Sequence, residues 1–132
     1  MKYLMDTHVW VWWNARPRRL SRRVRELIAD PGAYEELLLS AISPWEFAKL
    51  VECGRIGISC DPEAWIEQAL QMPRLRLVLL SPRIACRSTA LPAPFHSDPA
   101  DQIIVASARE EDATVLTKDR RILTYPHVRS LW

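Results

Sequence analysis

Four acidic side chains stand where the chain could make them work together. Asp6 follows the short apolar run Lys2 to Met5, and Asp119 lies just past the β-branched run Thr114 to Thr117. Glu46 sits in the first turn of a helix that follows the apolar run Leu37 to Leu39, and Asp101 opens the apolar stretch Ile103 to Ala108. Two acids are thus at strand ends and two at helix starts. Open parallel sheets bind ligands beyond the carboxyl ends of their strands, so all four can meet at one rim. Carboxylates brought together without a matching Lys or Arg repel one another, and a hard divalent cation relieves this. Mg²⁺ or Mn²⁺ held in this way activates water and offsets charge on a phosphodiester. The chemistry this favours is metal-assisted phosphodiester hydrolysis.

The elements that must position these acids are readable. Lys2 to Met5, Leu37 to Leu39, Leu75 to Leu80 and Thr114 to Thr117 read as strands, with Val128 to Leu131 as a last edge strand. Thr7 to Asn14 begins a short helix that Pro17 ends, and Ser21 caps a helix over Arg22 to Ala29. Ser43, Pro44 and Glu46 read as an N-cap, first helical residue and capping-box acid of a helix running to about Cys53. Asp61-Pro62, Ser81-Pro82 and Asp98-Pro99 repeat the cap-then-proline pattern, and Asp119 to Thr124 is a short helix. Asp101 falls in the first turn after Asp98, on one stripe with Val105 and Ala108. A carboxylate on a buried stripe demands a partner or a cation. Strands alternating with helices predict an α/β fold: a three-layer α/β/α sandwich around a mainly parallel sheet.

The 132 residues suit one domain over 1–132, with 48% hydrophobic and 26% charged residues, the balance of a folded soluble chain. No internal repeat, low-complexity tract or linker interrupts it. Cys53, Cys60 and Cys86 are odd in number and lack metal spacing, so neither a disulfide framework nor a zinc ribbon is expected. The start of the chain has too short an apolar run for a signal peptide, and the run Leu37 to Trp45 is too short to span a bilayer. A cytoplasmic protein without membrane contact is expected. The net charge of +2 makes any nucleic-acid contact a matter of local patches.

Met5-Asp6-Thr7, Ser43-Pro44-Trp45-Glu46 with Lys49, Asp98-Pro99-Ala100-Asp101 and Thr117-Lys118-Asp119 resemble the motifs of the PIN-domain family, closest to the VapC-like toxins of bacterial toxin–antitoxin pairs. The resemblance spans essentially the whole chain in the right order, and the DPAD stretch with its apolar helix is its most specific part. It implies a Mg²⁺- or Mn²⁺-dependent endoribonuclease on a PIN-like sandwich, restrained by a cognate antitoxin and built as a homodimer. It implies Asp6 and Asp101 as principal metal ligands, Glu46 completing the first site or acting through water, and Asp119 serving a second metal or placing the attacking water. Thr7 and Ser43 match small hydroxyl residues that line such sites, and Asp98 is an additional acid farther from the metal. Gln102 stands where similar toxins carry Arg, which removes a charge beside the site. The alternative is a PIN-like module that binds RNA or protein without cleaving.

Two further features bear on partners. Arg16, Arg18, Arg19, Arg22, Arg23 and Arg25 form a basic cluster, of which Arg19, Arg22 and Arg23 are candidates for contact with RNA phosphates or an acidic antitoxin segment. Trp10 and Trp13 share a helical face just after the first acid; core packing is the default, with a share in binding an antitoxin, a second copy or RNA. His8 and His96 lie two residues from an acid and show no zinc spacing; His96 reads as a loop or capping residue.

Overall fold

The computed structural model describes residues 1–132. Five strands form one sheet: β1 (Lys2–Met5), β2 (Glu36–Ser40), β3 (Leu75–Val78), β4 (Thr114–Leu116) and β5 (Ser130–Leu131). Their order is β3-β2-β1-β4-β5, and every pairing is parallel. The chain moves outward from β1 to β3, then returns to add β4 on the other side of β1. The winding direction therefore reverses between β1 and β4, and a ligand crevice opens beyond their carboxyl ends.

Alternation of side chains splits the core in two. Met5, Leu37, Leu39 and Leu116 pack on one face, against α1 (Thr7–Ala15), α2 (Arg22–Ala29), α3 (Ile42–Glu52) and α4 (Pro62–Ala69). Leu4, Leu38 and Val115 pack on the other, against α5 (Pro82–Thr89), α6 (Pro99–Glu110) and α7 (Arg120–Leu123). The predicted three layers are present. On the first face Phe47 stacks on Trp65 with ring centroids 4.0 Å apart, and Trp10 meets both edge-on. Trp10 is fully buried and donates its indole N–H to the Ala69 carbonyl at 3.1 Å. It belongs to the core and offers no surface to a partner. Trp13 is half-buried and packs against the same cluster. No helix is long and apolar enough to cross a membrane.

The cap-then-proline pattern holds for α4, α5 and α6: Asp61, Ser81 and Asp98 each accept the backbone N–H three residues on. It fails for α3. That helix starts at Ile42, with Ala41 as its helical N-cap residue and the Ser40 hydroxyl accepting the Ile42 N–H. Ser43 is therefore not a cap, Pro44 is not the first helical residue, and Glu46 lies too far along to close a capping box. Both side chains are released to point elsewhere. The outer strands are shorter than expected, β3 ending at Val78 and β5 starting at Ser130; Leu79 and Leu80 run on exposed.

Candidate metal centre

Each acid is held by the element that precedes or follows it. Asp6 ends β1 and caps α1, accepting the Thr7 N–H on Oδ1 at 2.8 Å. Its Oδ2 accepts the Thr117 hydroxyl at 2.7 Å, so the carboxylate is gripped from both sides. Thr117 stands at the end of β4, fully buried, and its Oγ1 also accepts the Asp119 N–H at 2.9 Å. Asp119 in turn caps α7 by accepting the Arg121 N–H at 2.9 Å. Asp98 caps α6 by accepting the Asp101 N–H at 3.1 Å, which fixes the start of that helix and the stem of Asp101.

Ser43, freed from capping, lies in the first turn of α3 with its Oγ 2.8 Å from Thr7 Oγ1. Thr7 donates to Glu46 Oε1 in a short hydrogen bond. A hydroxyl has one proton, so Thr7 must accept from Ser43. The chain Ser43–Thr7–Glu46 thus ties α3 to α1 and delivers Glu46 to the rim.

Asp6, Glu46, Asp101 and Asp119 line one cleft of about 230 Å³, together with Thr7, His8, Val11 and Trp12. All four acids line this cleft, and those whose ligand atoms lie close enough to share one ion with His96 are Asp101 and Asp119. A larger cavity of about 610 Å³ lies at the opposite end of the sheet, lined by Arg87, Arg109 and Arg129 among others. Arg87 and Arg129 pair with Glu110 and Asp112, and Arg109 donates to the His127 carbonyl. The two acids on that cavity are thus each paired with an arginine, whereas the smaller cleft gathers four acids.

Crowding marks the acids. Burial pushes the Glu46 carboxyl up to about 7, against the Thr7 hydrogen bond and helped by the nearby Asp6, Asp101 and Asp98 carboxylates. Burial likewise raises Asp101, opposed by its contact with His96 and reinforced by Asp6, Asp98 and Asp119. Burial works the same way on Asp119, but hydrogen bonds from the Arg121 side chain and backbone outweigh it and hold this carboxyl below the usual range. Burial lowers His8, with Asp6 and Asp119 pulling the other way.

Three further side chains contact the acids. His96 is a loop residue, as expected, and its Nε2 also lies 2.7 Å from Asp101 Oδ2. His8 Nε2 accepts the Lys118 N–H at 3.0 Å, which leaves the proton on Nδ1, facing Asp6 Oδ2 at 3.6 Å. Arg121 reaches Asp119 Oδ2 at 3.0 Å and Asp101 Oδ2 at 3.3 Å, so the acids do have a matching cation. Gln102 donates its amide to the His96 carbonyl at 3.1 Å. His8 and Arg121 each lie two residues from the acid they meet, a spacing that was the available signal; His96 lies two residues from Asp98 but meets Asp101, five away.

The donor set fits a hard divalent cation. It is dominated by carboxylate oxygens with a deficit of positive charge, and ligand atoms of His96, Asp101 and Asp119 lie within 4.8 Å of one another. Among the residues predicted at the periphery, Arg19 sits over the Trp12 ring at 4.7 Å, on a groove that shares Val11, Trp12 and Ile56 with the cleft. Arg22 and Arg23 are exposed and line neither, and Arg22 pairs with Glu26 at 2.8 Å along α2.

The PIN domain family model matches residues 3–128. The chain belongs to the PIN-domain family. This PIN domain is 38% identical over 126 residues to Ribonuclease VapC22 of Mycobacterium tuberculosis, covering 96% of this chain and 93% of that relative. Among solved structures it is similar to a chain of the VapBC2 complex from Rickettsia felis bound to a promoter DNA fragment, at TM-score 0.75 and 15% identity over 100% of this chain and 99% of that one. It is also similar to a chain of DNA-bound VapBC from Salmonella typhimurium, at TM-score 0.70 and 18% identity over 99% and 97% of the two chains. A chain of FitAcB from Neisseria gonorrhoeae matches at TM-score 0.70 and 20% identity over 98% and 96%. At these identities the structural likeness shows the fold.

Proposed function

We propose that this PIN domain, a single unit over residues 1–132, is a Mg²⁺- or Mn²⁺-dependent endoribonuclease, the toxin of a toxin–antitoxin pair acting in the cytoplasm. The observation that carries this reading is the convergence of Asp6, Glu46, Asp101 and Asp119 on one cleft at the β1–β4 switch point. The relative named as a ribonuclease supports RNA as substrate, and the neighbours solved as toxin–antitoxin complexes support an antitoxin partner. The homodimer is proposed on the family resemblance alone.

Asp6 and Asp101 are the proposed principal metal ligands, with Glu46 completing the site and Asp119 placing a second ion or the attacking water. A bound divalent cation supplies an activated water and offsets charge on the phosphate. The chain's own contribution is orientation. Thr117 and the Thr7 N–H fix Asp6, the Ser43–Thr7 pair fixes Glu46, and Asp98 fixes the turn that carries Asp101. Beside the cleft, the groove formed by Val11, Ala15, Phe47, Ile58 and Trp65 is rimmed by Arg16, Arg19 and Arg55. It offers an apolar floor and a basic edge to an antitoxin segment.

The test is cleavage of RNA and of matched single-stranded DNA by the purified chain, with EDTA and after Mn²⁺ is restored. The reading expects RNA cleavage that EDTA stops and Mn²⁺ restores, and suppression by co-expressed antitoxin. RNA binding without cleavage under any metal would return the chain to the non-catalytic alternative.

A further inference from the structure

Arg121 is the one guanidinium bonded to the acid cluster. It holds Asp119 with a fork, Nε on Oδ1 at 3.2 Å and Nη2 on Oδ2 at 3.0 Å. The same Nη2 donates to Asp101 Oδ2 at 3.3 Å, an oxygen already 2.7 Å from His96 Nε2. One cation therefore bridges two carboxylates carried by helices of different origin, α6 and α7. Its own side chain is 59% exposed while the Asp101 and Asp119 side chains are 12% and 20% exposed, so the guanidinium approaches from solvent and covers the acids.

A divalent cation held by these oxygens would carry two charges against the guanidinium's one. A guanidinium about 3 Å from the same oxygens would be repelled by it and stripped of its acceptors. We propose that Arg121 competes with a divalent cation for Asp101 and Asp119, acting as a tethered counter-cation that sets how tightly the site binds metal. This rests on the metal-site reading above. The Arg121 side chain is already largely exposed, so release costs little packing: it moves into solvent, where it remains beside the cleft as a positive charge available to a phosphate.

A purely structural role predicts the opposite sign. If Arg121 only buttressed the Asp119 cap, truncating it would loosen Asp119 and weaken metal binding. Competition predicts that truncation strengthens it. Arg120, its neighbour on α7, bears the same charge and makes no side-chain bond to the acids, so it controls for long-range charge alone.

The experiment is calorimetric titration of Mn²⁺ into the RNA-free protein for wild type, Arg121→Ala, Arg121→Lys, Arg120→Ala and Asp101→Asn. We expect Arg121→Ala to bind Mn²⁺ roughly tenfold more tightly, Arg121→Lys to fall between it and wild type, and Arg120→Ala to stay within about twofold of wild type. Arg121→Ala equal to or weaker than wild type overturns the competition, as does an equal gain in Arg120→Ala. If wild type and Asp101→Asn bind Mn²⁺ alike, the metal-site reading itself fails and takes the proposal with it. If they differ while Arg121→Ala matches wild type, only the competition fails.

Discussion

Thr117 donates its hydroxyl proton to Asp6 Oδ2 at 2.7 Å, joining residues 111 positions apart in the chain. Thr117 Oγ1 itself accepts the Asp119 N–H, so one buried hydroxyl sets the relative placement of two of the four acids. This is possible because β1 and β4 are neighbours and parallel, with Met5 opposite Leu116. Their ends then present consecutive residues to one crevice.

Replacing Thr117 with the near-isosteric Val removes that hydroxyl. Asp6 Oδ2 loses a donor and the Asp119 N–H loses an acceptor. We expect Mn²⁺ affinity or cleavage to fall about 10–100-fold and stability to fall by about 1–3 kcal/mol. Thr117→Ser should recover most of both. Urea unfolding and metal titration of the two variants check this, and a Val variant indistinguishable from wild type would show that the hydroxyl positions nothing.

Glu46 gives a pH signature. Its carboxyl is raised from an ordinary 4.5 to about 7, so between those values the folded chain binds a proton that the unfolded chain has released. Folding stability due to this group is therefore lost as pH rises through that window. His8, lowered by burial, acts in the opposite direction, so the contribution must be isolated by difference. Melting temperature should fall more steeply for wild type than for Glu46→Gln from pH 4.5 to 7. Metal affinity should rise in wild type over the upper part of the same range, as the ligand ionises. Parallel curves for the two proteins would place Glu46 outside the charged cluster.

Trp10 separates packing from recognition. Fully buried, edge-on to Phe47 and Trp65 and bonded to Ala69, it should cost about 3–5 kcal/mol when truncated to Ala. The exposed Arg22, paired only along its own helix, should leave the urea midpoint essentially unchanged when truncated. Urea midpoints with unchanged slopes measure both. A mild Trp10→Ala would mean the aromatic cluster is not the core described.

Much of this arrangement was legible in the residues alone, for a local reason. Asp61, Ser81 and Asp98 precede proline, and a side-chain oxygen followed by a residue lacking N–H has few roles other than starting a helix. The positions of Asp6, Asp101 and Asp119 were legible because strand ends and helix starts are fixed by such local signals; Glu46 lies past the first turn of α3, where the expected start had placed it within that turn. Ser43 misled because it has the same local appearance. The helix begins earlier because Ser40, at the end of β2, takes the capping role and Ala41 enters the helical region. The contacts of Arg121 and His96 with Asp101 were not legible because they are set by how α6, α7 and the loop before α6 pack. Trp10 and Trp13 share a helical face, but only the burial of that face against α3 and α4 decides that Trp10 is core.

The central claim is that the acid cluster performs metal-dependent RNA cleavage, and Asp101→Asn tests it most directly. Asn keeps the volume of Asp and can still accept from His96 and Arg121, so the fold should be retained. We predict a melting curve close to wild type together with loss of Mn²⁺-dependent RNA cleavage by at least about a hundredfold. Cleavage by the folded Asp101→Asn protein at near wild-type rate, still sensitive to EDTA, would contradict the account.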